Sequence, residues 1–450
     1  MMTKINQLPS SNIQNRAISI RQAPPSMSSK RLNRRKFLKS AASTLAAPYV
    51  ITSTALGADG RPPASERITM GFIGVGGMGG GNMRSFIGFR EVQGLAVCDV
   101  DTNRRVAAQQ QIEKRYSRDK ESGKYKGCEA YNDFRDLCAR TDIDAVCIAT
   151  PDHWHALSAI EAAKNGKDIY CEKPLSLTIR EARAMVTAVR RYGRVFQTGS
   201  QQRSGGEFRF ACEMVQSGRI GKILTINVNV GGPSGDCYNP PLPVPEGLDW
   251  NMWLGPAPWR HYSKGIHPYS WRGFRDYSGG GMTDWGAHQF DIAQWGMDMD
   301  NSGPVEVIPP NGKDVKRLTY KYANGTLMFH GGGGNGVVFT GENGKIEVNR
   351  GHLRTWPEKL KKTPTLPGEV HLYNSRNHRG NLIDCIKTRK QPVADVEIGC
   401  RSVSVCHIGN IAYWLKRPLK WDPVKEEFIG DAEANRWLDR PRRAPWTLGV

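Results

Sequence analysis

Two α/β domains in tandem are what this 450-residue chain predicts: a doubly wound parallel sheet first, then an α+β domain on a large, mostly antiparallel open sheet. Three observations carry that expectation. Strand–helix units repeat from Arg67 to about Gln197. A glycine loop, Gly74-Val75-Gly76-Gly77-Met78-Gly79, directly follows the first apolar run, Ile68 to Ile73. From Ile223 to Val230 the pattern turns to apolar–polar alternation, which marks a strand with one open face.

Before these domains comes a leader, residues 1–58, with nine Lys/Arg and no Asp or Glu. Asn33-Arg34-Arg35-Lys36-Phe37-Leu38-Lys39 precedes a weakly apolar stretch, Ala41 to Leu56, and small residues around Ala55 to Ala58. The segment resembles a twin-arginine export signal, with Asn33 where Ser or Thr is usual. Pro48 and several Ser/Thr make it too polar for a stable transmembrane span. The expectation is therefore a periplasmic or envelope-associated protein. Export of a folded, nucleotide-binding protein further implies a tightly bound cofactor.

Residues 59–200 form the first domain. Gly74 permits a tight turn, Gly76 lets the backbone approach a pyrophosphate, and Gly79 lets a helix pack close to its strand. Gly77 and Met78 complete the loop, whose helix N-terminus offers free N–H groups to phosphate. A second apolar run, Leu95 to Cys98, ends at Asp99, where an acid hydrogen-bonds the adenosine ribose 2′-OH of NAD. Arg104 and Arg105 stand near enough to accept a 2′-phosphate, which leaves NADP open. This is a Rossmann dinucleotide-binding domain. Its later elements are a helix over Asn103–Arg118, a strand at Ala145–Ala149, a helix over Ala156–Asn165, a strand at Asp168–Cys171, a helix over Ile179–Arg191 and a strand at Val195–Gln197.

Residues 201–450 form the second domain, for substrate and oligomerisation. Leu318–Phe329 and Val337–Val348 read as antiparallel strands, with Gly341-Glu342-Asn343-Gly344 as a hairpin turn, and Ile398–Leu415 reads as a late helix.

Composition narrows the function. The net charge of +20 falls to +11 for residues 59–450, and both signs are interspersed with no basic stripe among aromatics, which excludes nucleic acid as a partner. Ten cysteines occur without a C-x-x-C, and Cys98, Cys147 and Cys171 sit in or beside core strands, so most are expected as buried free thiols.

Three local features point to one chemistry. Glu172-Lys173-Pro174 follows a strand of the parallel sheet, where ligand groups are presented, so Lys173 is placed to offer an ammonium to a substrate oxygen. Thr150-Pro151-Asp152-His153-Trp154-His155 ends another strand and reads as a loop closing over the nicotinamide, with Thr150, Pro151, His153, His155 and Glu172 as cofactor contacts. No Cys, His or Glu stands at ligand spacing to this loop, so no metal is expected. In Asp284-Trp285-Gly286-Ala287-His288-Gln289-Phe290-Asp291, the i, i+4 spacing puts Asp284 and His288 on one helix face, where a carboxylate can orient an imidazole base. The bland alternative is an N-cap aspartate and a packed histidine.

Together, the glycine loop, Glu172-Lys173-Pro174 and the Asp284/His288/Asp291 run resemble the Gfo/Idh/MocA family, the glucose–fructose oxidoreductases and inositol dehydrogenases, over residues 67–450. The stretch Leu248 to Pro258 is similar to an exported branch of it. The resemblance implies an NAD(P)-dependent oxidoreductase acting on a ring hydroxyl of a sugar, cyclitol or glycoside. His288, oriented by Asp284, would take the hydroxyl proton, and Lys173 would hydrogen-bond the same oxygen while hydride passes to the nicotinamide. Arg203, His267, Tyr269, Trp271 and Arg272 are the expected substrate contacts, and a homo-oligomer, dimer or tetramer, is expected through the second domain's sheet. Two alternatives stand beside it: an NAD-dependent glycoside hydrolase of the N-acetylgalactosaminidase type, which needs bound cofactor, and a non-catalytic sugar or redox sensor.

Overall fold

The computed structural model describes residues 66–331 and 336–450; the leader lies outside the described residues. Six strands, β1 (Ile68–Ile73), β2 (Val92–Cys98), β3 (Glu129–Tyr131), β4 (Ala145–Ile148), β5 (Asp168–Cys171) and β6 (Phe196–Thr198), form one parallel sheet in the order 3-2-1-4-5-6. The order reverses between β1 and β4, which opens a crevice at the strands' carboxyl ends. β4 and β5 are buried along their whole length because helices cover both faces. Alternate residues accordingly enter two cores: Val146 and Ile148 pack on one side, Ala145 and Cys147 on the other.

The helices α1 (Gly77–Phe86), α2 (Thr102–Arg115), α3 (Phe134–Ala139), α4 (Asp152–Lys164) and α5 (Ile179–Arg191) connect these strands. One expected boundary moves. The stretch read as a loop over the nicotinamide, Asp152 to His155, is the first turn of α4. Pro151, with φ −61°, supplies the preset backbone for a helix start, and Asp152 suits the positive end of the helix.

The second domain is a nine-stranded mixed sheet in the order β13-β12-β11-β7-β10-β9-β8-β14-β15. Its members are β7 (Ile223–Val228), β8 (Glu306–Ile308), β9 (Thr319–Lys321), β10 (Leu327–His330), β11 (Val337–Gly341), β12 (Gly344–Asn349), β13 (His352–Trp356), β14 (Leu419–Asp422) and β15 (Glu427–Phe428). Only the β7–β10 pairing is parallel. The expected hairpin forms, with Gly341 opposite Gly344. Helices α6 (Gly206–Gln216), α7 (Gly286–Gly296) and the twenty-residue α9 (Val396–Leu415) share a core with the inward-facing residues of this sheet, and every residue of α7 is buried.

Late segments return to the first domain. Helix α8 (His378–Thr388) contributes Leu382, Ile383 and Cys385 to the parallel-sheet core, and Trp446 packs on Phe134 and Trp154. All ten cysteines are free and buried, as expected for apolar packing residues.

Candidate active site

The carboxyl ends of β1, β2, β4 and β5 meet the second domain in a cleft lined by Gly74, Gly76, Gly77, Met78, Asp99, Arg104, Thr150, Pro151, Glu172 and Lys173. From the second domain come His267, Tyr269, Trp271 and Arg272. The glycine loop is fixed by sterics. Gly74 has φ +79°, and a Cβ there would lie 2.8 Å from the Ala149 and Thr150 backbone. At Gly79 a Cβ would lie 1.8 Å from the Gly74 carbonyl oxygen, so this glycine acts through helix–strand packing. A Cβ at Gly77 meets nothing within 4 Å. Gly76 caps α1 without any side-chain hydrogen bond, and the start of the helix lines the cleft.

Asp99 accepts the Val75 N–H at 2.9 Å and the Asp101 N–H at 3.0 Å. Burial raises its carboxyl pKa, and the two amides oppose that rise. Arg104 reaches over the loop, its Nη1 3.0 Å from the position of a Gly76 Cβ. Arg105 instead donates to the Asp99 carbonyl, Asn132 and Thr102, so it braces the end of β2. Thr150 Oγ1 is buried in the cleft without a hydrogen-bond partner among the described residues. A glycine cradle, an uncapped helix start, an acid at the end of β2 and an unpartnered hydroxyl fit a dinucleotide.

Two expected cofactor contacts are corrected. His153 is buried against Trp253 and Tyr277, with Nε2 on the Trp253 carbonyl at 3.0 Å. His155 sits between the carbonyls of Pro174 (2.8 Å) and Thr150 (2.9 Å). Burial pushes their pKa values down to about 3 and about 4. Both point inward because they lie in the buried first turn of α4. Neutral, His155 can donate to only one of these two carbonyls, and it packs between the segments that carry Thr150 and Lys173. Glu172 stays at the cleft floor, also raised in pKa by burial, and accepts Asn82 Nδ2 at 2.8 Å; Arg379 in turn donates to Asn82.

Beside the cradle, Lys173 Nζ donates to Asp284 Oδ1 at 2.6 Å and to the Asp284 carbonyl at 3.0 Å. Arg272 Nε lies 3.5 Å from the same carboxylate and stacks over Trp271 at 4.3 Å. The expected Asp284–His288 pair does not form. The helical run breaks at Trp285 between Gly281–Asp284 and α7, and Asp284 turns to Lys173. His288 Nε2 instead accepts from Arg350 Nη2 at 3.1 Å, while its Nδ1 has no partner among the described residues. Burial first, then the Lys173 and Arg350 charges, holds the imidazole well below its ordinary pKa, so it is neutral near pH 7.

Arg203, an expected substrate contact, is corrected outright. Its side chain is 1% exposed, with Nε 2.9 Å from both Asp291 oxygens, Nη1 and Nη2 on Asp300 at 2.8 and 2.6 Å, and the guanidinium stacked over Trp295. It is a structural ion-pair centre. His267 is mostly buried and packs edge-on to Trp253, its pKa pushed down to about 4 by burial; Tyr269 is 71% exposed at the cleft mouth.

Sequence reasoning missed two groups. Asp152, buried, accepts from Ser278 Oγ at 2.6 Å; burial and then Asp284 push its carboxyl up to about 7, against Ser278, Arg272 and Lys173. Arg350, in the β12–β13 turn, lies 62 residues from His288 and carries no local signal. The position of Asp152 directly after Thr150-Pro151 at a strand end was the one available clue.

A two-domain protein with a dinucleotide cradle beside a lysine–carboxylate centre is the class that fold and cleft define. Comparison with known proteins agrees: residues 68–200 match the NAD-binding Rossmann fold of an oxidoreductase family and residues 213–448 match its C-terminal alpha/beta domain. The chain belongs to the Gfo/Idh/MocA oxidoreductase family. Among relatives, a glycosyl hydrolase family 109 protein of Shewanella pealeana is 30% identical over 215 residues, covering 43% of this chain and 45% of the relative. An inositol 2-dehydrogenase of Rubrobacter xylanophilus is 35% identical over 161 residues, covering 35% of this chain and 42% of the relative. Each of these matches thus spans less than half of the relative. Among solved structures, the WlbA dehydrogenase of Bordetella pertussis in complex with NADH and UDP-GlcNAcA shares the fold, with TM-score 0.54 and 16% identity over 79% of this chain and 99% of that one.

Proposed function

We propose that this protein is an NAD-dependent oxidoreductase acting on a ring hydroxyl of a sugar, cyclitol or glycoside, with Lys173, Asp284 and His288 at the reacting hydroxyl. The observation that carries the reading is the Lys173–Asp284 contact beside the glycine cradle, next to a neutral, buried His288. Gly74, Gly76, Gly77, Met78 and Arg104 hold the pyrophosphate side, Asp99 the ribose, and Thr150 with Pro151 the nicotinamide end. Bound NAD supplies the hydride acceptor. Lys173, fixed by Asp284, donates a hydrogen bond to the substrate oxygen and favours its alkoxide character. His288 accepts the hydroxyl proton at Nε2, the nitrogen that Arg350 now covers. Tyr269, Trp271 and Arg272 line the substrate side, and aromatic faces suit polyhydroxylated rings.

The same reading includes twin-arginine export, a tightly held cofactor and a homo-oligomer. Its runner-up is NAD-dependent glycoside hydrolysis, favoured by the family 109 relatives. One experiment tests both. Purified protein is denatured and the supernatant assayed for NAD(H) and NADP(H), and native protein is then offered sugars, inositols and glycosides. NADH accumulation with a sugar or inositol is the expected result. Glycoside cleavage at constant bound NAD selects hydrolysis, and loss of neither activity in Lys173→Ala overturns the site.

A further inference from the structure

Three side-chain cations, Lys173, Arg272 and Arg350, gather around the centre just described, and their surroundings differ. Lys173 and Arg272 share one carboxylate, Asp284, at 2.6 and 3.5 Å. Arg350 is exposed and, among the described residues, makes no ion pair. Its one hydrogen bond is to the imidazole of His288, and its guanidinium lies over Trp285 at 5.0 Å. An arginine has five N–H donors in a planar fork that matches a carboxylate, and stacking on an indole holds that fork in plane. Arg350 also opposes the step expected of His288, since a cation 3.1 Å from Nε2 disfavours its protonation.

We infer that the substrate carries a carboxylate on or beside its ring, as in a hexuronic acid, and that Arg350 recognises that group. The inference rests on the oxidoreductase reading of Lys173, Asp284 and His288, and names the substrate class of the same site. The carboxylate supplies the anion that Arg350 lacks and draws the guanidinium off His288 Nε2, which frees that nitrogen for the substrate hydroxyl. A neutral sugar leaves the arginine where it is. Substrate charge and base availability are thereby coupled.

The test titrates the full-length, NAD-loaded protein by calorimetry with galacturonate and glucuronate against galactose and glucose, and follows NADH with each. Uronates are expected to bind about tenfold or more tightly than the matching hexoses, as a charged hydrogen-bonded pair predicts. In Arg350→Gln that ratio collapses toward one, and Arg350→Lys, keeping the charge but losing the fork, restores it in part. Arg350 is exposed, so the variants are expected to melt like the parent. Equal affinity for uronates and hexoses, or a uronate preference that survives Arg350→Gln, overturns the inference. So does tighter binding of a hexose 6-sulfate, which reassigns the anion. Hexoses that reduce NAD without any uronate preference defeat only this inference. Arg350-dependent uronate binding without NADH from any sugar supports the anion site and instead defeats the oxidoreductase reading.

Discussion

Asp284 and Asp291 stand seven residues apart on either side of Trp285, yet they do opposite work. Asp284, before the break at Trp285, faces the cleft with its side chain 24% exposed and shares Lys173 and Arg272. Asp291, inside α7, is 0% exposed and grips Arg203, which also holds Asp300. Both are aspartate–cation contacts under 3 Å. The difference is solvent and neighbours: one pair keeps a side open to a ligand, the other is sealed in hydrogen bonds from Arg203 and Ser402. A short ion pair by itself says nothing about function; its access does.

The comparison breaks most visibly at Arg203. Arg203→Ala leaves Asp291 buried without its cation, and the expected cost is about 3–5 kcal/mol, read as a fall in melting temperature and soluble yield. If folded protein instead keeps its stability and loses only substrate affinity, the structural assignment is wrong. Lys173→Ala is the converse. Its pair is partly open, so about 1 kcal/mol or less of stability is at stake, while turnover is expected to drop about 10²–10³-fold. Steady-state NADH formation alongside a thermal melt separates the two residues.

The cradle offers a smaller contrast of the same type. Gly79→Ala drives a Cβ into the Gly74 carbonyl and is expected to destabilise the domain by about 1–3 kcal/mol. Gly77→Ala finds open space, so its melt stays near the parent and any change falls on NAD affinity, measured by titration of cofactor-free protein.

The least expected effect is in pH dependence. The Asp152 carboxyl is raised from its ordinary 3.8 to about 7 in the fold. Its contribution to stability is therefore full below about pH 4 and lost as pH rises through about 7. Asp152→Asn should flatten that part of the stability profile, and should also remove an inflection near pH 7 from the rate profile. An unchanged melting-temperature profile from pH 4 to pH 8 would show that Asp152 does not titrate there.

Much of this was legible along the chain. The glycine loop, Asp99, Lys173 and the hairpin at Gly341–Gly344 are each specified within a few residues, by a turn that only glycine enters or by the apolar period that precedes it. The site residues went wrong where spacing stood in for geometry. An i, i+4 rule paired Asp284 with His288, but Trp285 interrupts the helix and Lys173, 111 residues earlier, takes the carboxylate. Arg203 read as a ligand arginine because nothing local announces Asp291 and Asp300, 88 and 97 residues on. His153 and His155 read as loop residues because the start of α4 lay four residues earlier than expected.

The sequence by itself thus determined two α/β domains, a dinucleotide cradle and the lysine beside it, because periods of 2 and 3.6 and the sterics of glycine act over short stretches of chain. Tertiary structure alone decided which carboxylate faces solvent, which histidines turn inward, and that Arg350 meets His288. Those outcomes depend on how helices dock on two sheets and on how much water each charge keeps, and both are set by segments distant in sequence.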